Sequence, residues 1–211
     1  MLKNNTGSAF QTKIMSESLL IQEGREAMFS EILATVESDV RFKDAMAISD
    51  VGASVMASDD FWGDGTDEFL AWLRPYEVTN GVLVIPVQGV LLNKVSIKFA
   101  SWMTGYTYIQ RAFERGMEDP EVHTIYFDID SPGGAVAGNF GLVEHMASMR
   151  GTKRIVAFAN DSAYSAAYGI ATVADEIILS RSGGVGSVGV VTQHTDVSEA
   201  MAKRGVKVTF M

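Results

Sequence analysis

The stretch "TIYFDIDSPGGAVAG" (residues 124–138) decides the fold of this chain. Apolar and polar residues alternate over "TIYFDID", which is the period of a β-strand with one buried face. The proline and two glycines of "SPGG" then turn the chain, and "GNFGLVEHMASMR" (138–150) has the spacing of a helix. A strand, a turn and a helix make up the unit from which parallel α/β sheets are built.

The same alternation continues over residues 76–211 and predicts an α/β fold with mainly parallel strands and crossover helices. Further strands are predicted at "GVLVIPVQGVL" (81–91), "RIVAFA" (154–159), "EIILS" (176–180), "VGVVT" (188–192) and "VKVTF" (206–210). Further helices are predicted at "TGYTYIQRAFERGMED" (104–119), "YSAAYGIATVA" (164–174) and "DVSEAMAKRG" (196–205).

Residues 1–75 differ from this domain in charge and are predicted to form an N-terminal arm. They hold 13 acidic and 6 basic residues, a net charge of −7, whereas residues 76–211 hold 13 and 11, a net charge of −2. Apolar residues recur at helical spacing over residues 16–36, which predicts one amphipathic helix. The acidic linker "ASDDFWGDGTDEF" (57–69) lacks the alternating ligands of a calcium loop, so no metal site is predicted.

Composition narrows the classes of function. The chain has no cysteine, which excludes disulfides, thiolate metal sites and a cysteine nucleophile. Its net charge is −9, and an acidic chain without a basic stripe argues against nucleic-acid binding. No apolar run is long enough to span a membrane, and the first 13 residues lack the apolar core of a secretory signal. No cofactor is predicted.

Two segments that each follow a predicted strand could together build an active site. In parallel α/β folds, function gathers at the carboxyl ends of the strands. The glycines of "SPGG", Gly133 and Gly134, leave backbone N–H groups uncovered, and such groups can hold an oxyanion. Ser165 opens a helix rich in alanine and glycine, where small residues leave room for a substrate backbone beside its hydroxyl. The N–H of Ala166 could be a second oxyanion donor.

A nucleophilic serine needs a base, and the residues alone leave two options open. His194 follows the predicted strand "VGVVT" and has Asp196 beside it, so a Ser-His-Asp arrangement is one option. A lysine base is the other. A plain strand-to-helix turn and a serine helix cap are the structural alternatives to any active site.

The motifs "TIYFDIDSPGG", "NDSAYSAAYGIATVADEIILS" and "GGVGSVGVV", in this order, resemble the signal peptide peptidase A family of serine–lysine proteases. With "PYEVTNGVLVIPVQGVLL" and "WMTGYTYIQRAF", the similarity is closest to the head maturation proteases, or minor capsid proteins C, of lambda-like phages. It covers about residues 75–211. The resemblance implies a ClpP/crotonase-like fold, often assembled into rings.

The resemblance also implies roles for single residues. Ser165 matches the nucleophile, Gly133 and the N–H of Ala166 match the oxyanion hole, and Ser187 matches the serine that orients the catalytic lysine. The family's lysine follows the strand equivalent to "VKVTF" by roughly ten residues, which places it beyond Met211. The 211-residue chain is therefore expected to lack its base and to be inactive or nearly so.

The function implied is a phage serine endopeptidase that cleaves scaffold or capsid proteins. Its expected partners are scaffold, capsid and portal proteins and copies of itself, in the host cytoplasm during assembly and in the prohead or virion. The main alternative is a non-catalytic minor capsid or portal-associated protein that keeps the protease fold. A ClpP-like peptidase using His194 and a crotonase-type acyl-CoA enzyme are further alternatives, and no CoA-binding signal supports the last.

Overall fold

The computed structural model describes residues 19–21, 62, 68–190 and 198–205. In chain order the strands are β1 (Leu19–Ile21), β2 (Glu77–Thr79), β3 (Val82–Leu92), β4 (Lys98–Phe99), β5 (Met103–Gly105), β6 (Thr124–Ala135), β7 (Arg154–Tyr164), β8 (Glu176–Leu179) and β9 (Gly184–Gly186). The helices are α1 (Glu68–Leu73), α2 (Tyr106–Glu118), α3 (Asn139–Ser148), α4 (Ala166–Ala171) and α5 (Ser198–Lys203).

One mixed sheet holds these strands in the order β4-β5-β3-β6-β7-β8. The pairs β5–β3, β3–β6, β6–β7 and β7–β8 are parallel, and β9 also runs parallel to β7. The short strands β1, β2 and β4 pair antiparallel. Helices α2, α3 and α4 connect successive parallel strands. The predicted α/β class with mainly parallel strands and crossover helices is therefore confirmed.

The core lies on one face of the sheet, beneath the crossover helices. In β6, Ile125, Phe127 and Ile129 are fully buried, as the alternation of "TIYFDID" predicts. Phe113 of α2 stacks on Phe127 with ring centroids 6.0 Å apart. A buried aliphatic or aromatic side chain contributes roughly 1.5–3 kcal/mol, so these residues fix which face of β6 points inward. That choice leaves Asp128 on the opposite face.

The described part of the N-terminal arm departs from the prediction. Leu19–Ile21 falls within the predicted helix (16–36) but forms a strand on the end of β6, so the helix is wrong for these three residues. Pairing with a sheet edge gives their backbone groups hydrogen-bond partners. This pairing decides the local structure in spite of the helical spacing of the apolar side chains. The remainder of residues 16–36 lies outside the described residues.

Residues near the predicted domain boundary contact the α/β domain. Leu73 in α1 is fully buried, and the ring of Trp62 lies 5.3 Å from that of Tyr76, centroid to centroid. The division into an arm (1–75) and a domain (76–211) stays a prediction.

The predictions near the C-terminal end are corrected in one place. Residues 188–190 of the predicted strand "VGVVT" are not in a strand, whereas the preceding Gly184–Gly186 is. Gly184 and Gly186 let the backbone lie against β7 as strand β9, and the pairing of β9 with β7 ends at Gly186. The helix predicted at 196–205 is confirmed over Ser198–Lys203. The strand predicted at 206–210 lies outside the described residues.

Candidate active site

A register shift brings the ends of β6 and β7 to the same level. Between two paired positions, β6 advances by two residues, from Ile129 to Ser131, while β7 advances by four and pairs Ala163 with Ser131. Gly133 lies two residues beyond Ser131, and Ser165 lies two residues beyond Ala163, directly after the end of β7. If β7 ran in a regular register, with no bulge to absorb its two extra residues, Ser165 would lie about 6.6 Å beyond the level of Gly133. The irregularity therefore aligns the predicted nucleophile with the predicted oxyanion glycine.

Ser165 occupies a strained turn between β7 and α4. Its φ is 55° and its ψ is −115°, a conformation that costs a residue with a side chain about 1–3 kcal/mol. The surrounding backbone holds it there, because the Ser165 N–H donates to Gly186 O at 2.7 Å and the Ser165 carbonyl accepts from Gly169 N at 3.0 Å. A strained strand-to-helix turn is also the way in which other hydrolases present a nucleophilic serine.

The hydroxyl of Ser165 is enclosed but weakly held. The residue is 6% exposed, and its Oγ donates to Gly189 O at 3.4 Å, near the upper limit for a hydrogen bond. A buried hydroxyl normally forms a shorter bond. The Ser165 hydroxyl can therefore turn toward another partner at little cost.

The "SPGG" segment continues β6 instead of ending it. Gly133 has a φ of 108°, which only glycine adopts without strain. Its N–H donates to Ser131 Oγ at 3.1 Å, and that hydroxyl donates to Gly89 O at 2.6 Å. The predicted oxyanion donor thus has an internal partner when no substrate is bound, and the N–H must leave or share that partner to bind an oxyanion.

Gly134 has a packing role at the same edge. A Cβ at this position would lie 2.0 Å from Leu91 O and 2.6 Å from Leu91 N. The backbones of β3 and β6 therefore approach too closely for any side chain. This close approach holds the predicted oxyanion segment, Gly133–Ala135, against β3.

Asn139 links the predicted oxyanion segment to α4, the helix that follows Ser165, and was missed in the sequence. It begins α3, is buried, and donates from Nδ2 to Ala166 O at 3.0 Å. Gly169 makes room for it, since a Cβ there would lie 3.0 Å from Asn139 Oδ1. The bond ties the start of α3 to Ala166, the residue whose N–H is the second predicted oxyanion donor. The signal in the sequence was a polar residue on the first turn of a helix that follows "SPGG".

Ser187 lies beside the same turn, directly after β9. That strand pairs with Ser162, Ala163 and Tyr164 of β7, and its last residue, Gly186, accepts the Ser165 N–H. Ser187 is exposed and has a φ of 53°, so a second serine at this edge has an unusual backbone. The structure thus brings together the segments of Ser165, Ala166, Gly133, Gly134 and Ser187.

The histidines contribute no base in the described part of the chain. His194 lies outside the described residues. His145 is hydrogen-bonded to Glu114, with 2.8 Å between Nε2 and Oε1, on the helices that cover the sheet. His123 precedes β6 and therefore lies at the opposite end of that strand from Gly133.

Two described lysines lie away from Ser165. Lys153 precedes β7 and donates to Gly116 O at 2.8 Å, at the amino end of the strand that Ser165 follows. Lys98 lies on β4, and β5, β3 and β6 separate that strand from β7. Burial lowers the pKa of Lys98, and burial likewise raises the pKa of the nearby Asp128 carboxyl. This pair belongs to the sheet face opposite the core.

The described residues contain no group of three or more histidine, aspartate and glutamate side chains that could hold a metal ion. In the same ranges, no helix is long and apolar enough to cross a membrane.

Comparisons with known proteins bear on the family. Peptidase family S49 matches residues 147–211. The chain is 35% identical over 148 residues to the capsid assembly protease C of Escherichia phage lambda, which covers 70% of this chain and 34% of that protein. It is 34% identical over 151 residues to the head-tail preconnector protein GP5 of Enterobacteria phage P21, covering 69% of this chain and 30% of that protein.

The chain spans about a third of the length of the curated relatives that it matches. Among solved structures, it is similar to an enoyl-CoA hydratase from Mycobacterium avium subsp. paratuberculosis K-10, with 20% identity and a TM-score of 0.39 over 55% of this chain and 47% of that one. A putative enoyl-CoA hydratase/isomerase from Acinetobacter baumannii gives 14% identity and a TM-score of 0.40 over 51% and 48%. The resemblance to the S49 peptidases and to the phage head proteases is confirmed.

Proposed function

From this relationship to the S49 peptidases of phage heads, we propose that the chain carries the nucleophile and the oxyanion donors of a serine endopeptidase that cleaves scaffold or capsid proteins during head maturation. The observation that carries the proposal is the turn at Ser165, a strained and enclosed serine aligned by register with Gly133. Its partners are scaffold, capsid and portal proteins and further copies of the chain in a ring. It acts in the host cytoplasm during assembly and in the prohead.

The first half of the reaction forms an acyl-enzyme. Ser165 Oγ attacks the carbonyl carbon of the scissile peptide bond while its proton passes to a neutral base. The carbonyl oxygen becomes an oxyanion, which accepts hydrogen bonds from the N–H groups of Gly133 and Ala166. Such donors are commonly worth about 10²–10³ in rate each. Collapse of this intermediate breaks the C–N bond, and the leaving amine takes the proton back from the base.

The second half releases the product. Water attacks the ester carbonyl, the same base accepts its proton, and the Ser165 hydroxyl leaves with that proton. In this proposal the base is a lysine, kept neutral by burial and oriented by the hydroxyl of Ser187. Ser187 follows Gly186, whose carbonyl fixes the Ser165 backbone, so this orienting group is carried on the segment that positions the nucleophile.

A covalent probe tests the nucleophile directly. In a version of the chain extended through the downstream reading frame, an alkyl fluorophosphonate should phosphonylate Ser165 Oγ with loss of fluoride, and mass spectrometry should find the adduct on the peptide that contains Ser165. Ser162→Ala is the matched control, because this serine lies three residues earlier and its hydroxyl donates to Asp130 Oδ1 at 2.8 Å. Ser162→Ala should keep the label and Ser165→Ala should lose it. An adduct on any other serine would refute the assignment.

Cleavage of the phage's own scaffold protein tests the activity. The 211-residue chain and a version extended through the downstream reading frame are both assayed, because the family's lysine is expected beyond Met211. Ser165→Ala in the active version should reduce cleavage by several powers of ten. Equal cleavage by both versions, abolished by His194→Ala, would replace the lysine with a histidine base.

A structural role is the second candidate. The Gly133 N–H already has Ser131 Oγ as a partner, and one relative is named a head-tail preconnector protein. A minor capsid or portal-associated protein could keep this fold without catalysis. No cleavage and no fluorophosphonate adduct with either version, together with incorporation into heads, would favour that role.

A further inference from the structure

The oxyanion segment has one strand edge that the rest of the described domain does not use. On one side of β6, Gly133 pairs with Val90 and Gly134 pairs with Leu91 of β3. On the other side, β7 pairs with β6 as far as Ser131. Beyond that point the chain of β7 turns at Ser165, so the edge of Gly133–Ala135 that faces the nucleophile is left open by β7.

The N-terminal strand β1 fills this open edge. Leu19 pairs with Ala135, Leu20 with Gly134 and Ile21 with Gly133, all antiparallel. A strand has two edges, and β3 already takes the other edge of Gly133 and Gly134. The backbone of β1 must therefore lie on the side of β6 that faces Ser165.

An extended peptide that adds to a sheet edge is a common mode of protein recognition, in which main-chain hydrogen bonds supply affinity. A substrate chain that presents a carbonyl to Ser165 and to the Gly133 N–H needs this same edge, because those groups flank it. The three residues of β1 take the place that three residues of substrate would take.

We propose that Leu19–Ile21 is an intramolecular competitor that occupies the peptide-binding edge of the active site and must leave before a substrate chain can bind. This inference rests on the proposed function for the identity of the edge as a substrate site. A tethered segment competes at a high effective concentration, often near millimolar for a flexible connection. Occupancy of about nine-tenths would weaken the apparent affinity for a substrate peptide about tenfold.

A binding experiment tests the occupant without requiring catalysis. The full chain carrying Ser165→Ala is titrated into a fluorescein-labelled peptide of residues 16–24, "SESLLIQEG", and anisotropy is followed. Leu20→Pro, which removes a backbone N–H and distorts an antiparallel strand, should bind the peptide about tenfold more tightly than the parent. Thr12→Pro places the same residue type outside the paired segment and should bind as the parent does.

Hydrogen exchange locates the binding. In Leu20→Pro the amides of Gly133–Ala135 should exchange faster than in the parent, and the added peptide should slow them again. Equal affinity of the parent and Leu20→Pro, or binding by neither, would overturn the proposal. Unchanged exchange in the strands β3 and β6 before Ser131 confirms that the variant is folded.

A cleavage experiment then separates competition from structural support. In the version with an intact Ser165, Leu20→Pro should cleave a quenched fluorogenic peptide faster than the parent does, through a lower KM. Slower cleavage by a folded Leu20→Pro protein would show that β1 supports the site, and would refute the competitor. If no version cleaves any peptide, the proposed function fails, while the binding and exchange results still decide whether β1 can be displaced by a peptide.

Discussion

Replacing Gly134 by alanine should separate β3 from β6 and damage both stability and activity. The new Cβ would lie 2.0 Å from Leu91 O, and Cβ contacts below 3.0 Å are essentially never seen. The strands must therefore move apart by at least about 1 Å in a close-packed sheet. The obstacle is backbone, so no side chain can rotate away to relieve it.

The magnitude follows from three contributions. Overpacking typically costs about 1–3 kcal/mol, and a clash with rigid backbone should cost about 3 kcal/mol. Loss of one ladder hydrogen bond adds about 1 kcal/mol. The reduced entropy of the unfolded alanine chain offsets about 0.7 kcal/mol. The free energy of unfolding should fall by about 3 kcal/mol, which for a chain of this size lowers Tm by roughly 6–12 °C.

Gly141→Ala is the matched control, since Gly141 lies in α3 with nothing within 4 Å of its would-be Cβ. Alanine there should raise the free energy of unfolding by about 0.5–1 kcal/mol. Differential scanning calorimetry gives both values. A misplacement of about 1 Å can cost 10²-fold in rate, so in an active version Gly134→Ala should lower kcat by about that factor while Gly141→Ala leaves it unchanged. Equal Tm values for Gly134→Ala and the parent would refute the account of the β3–β6 contact.

Three further outcomes are expected. Asn139→Ala removes the bond to Ala166 O, so the free energy of unfolding measured by denaturant titration should fall by about 1–2 kcal/mol. The variant should also lower kcat more than it raises KM. An unchanged kcat would contradict the link between Asn139 and the site. Burial raises the pKa of the Asp128 carboxyl, so the stability that its protonated form contributes is lost as pH rises through that pKa. Asp128→Asn should therefore be more stable than the parent at pH 7 but not below pH 3. Burial, followed by a hydrogen bond to Asp119, raises the pKa of Tyr76 to about 12. Stability should therefore fall between pH 10 and 12, and Tyr76→Phe should show a smaller fall in urea titrations.

The alternation of strands and helices could be predicted because side-chain periodicity reports burial directly. The helix predicted at 104–119 is found at Tyr106–Glu118, and the strand predicted at 176–180 is found at Glu176–Leu179. The strand ends could not be predicted in the same way. Proline and glycine in "SPGG" indicated a turn, yet Thr124–Ala135 runs through them, because the missing side chain at Gly134 lets β3 lie closer than any other residue would allow.

Long-range partners limited the prediction of the site. Asn139 and Ala166 are 27 residues apart, and no local pattern indicates that one will donate to the other. The pairing of Leu19–Ile21 with Gly133–Ala135 spans more than a hundred residues, and the local spacing of apolar residues favoured a helix there instead. Residue types and their order identified the candidate nucleophile and glycines. The structure adds the bonds and pairings that connect them.

Register is the property that makes a site of these residues, and it is set by packing on the core face. Ile129 pairs with Ala159 because both are buried in the same layer, and the side chains of a strand would all change face if it slipped by one residue. Beyond that layer, the extra residues in β7 carry no core side chain and can be inserted without disturbing the core. The bulge absorbs these residues, so that Ser165 stays at the level of Gly133. Deleting two of the three residues 160–162 should therefore leave a folded sheet in which Ala163 still pairs with Ser131, and the fluorophosphonate labelling of the serine should be retained. Lost labelling would show that the bulge does more than keep Ser165 level with Gly133.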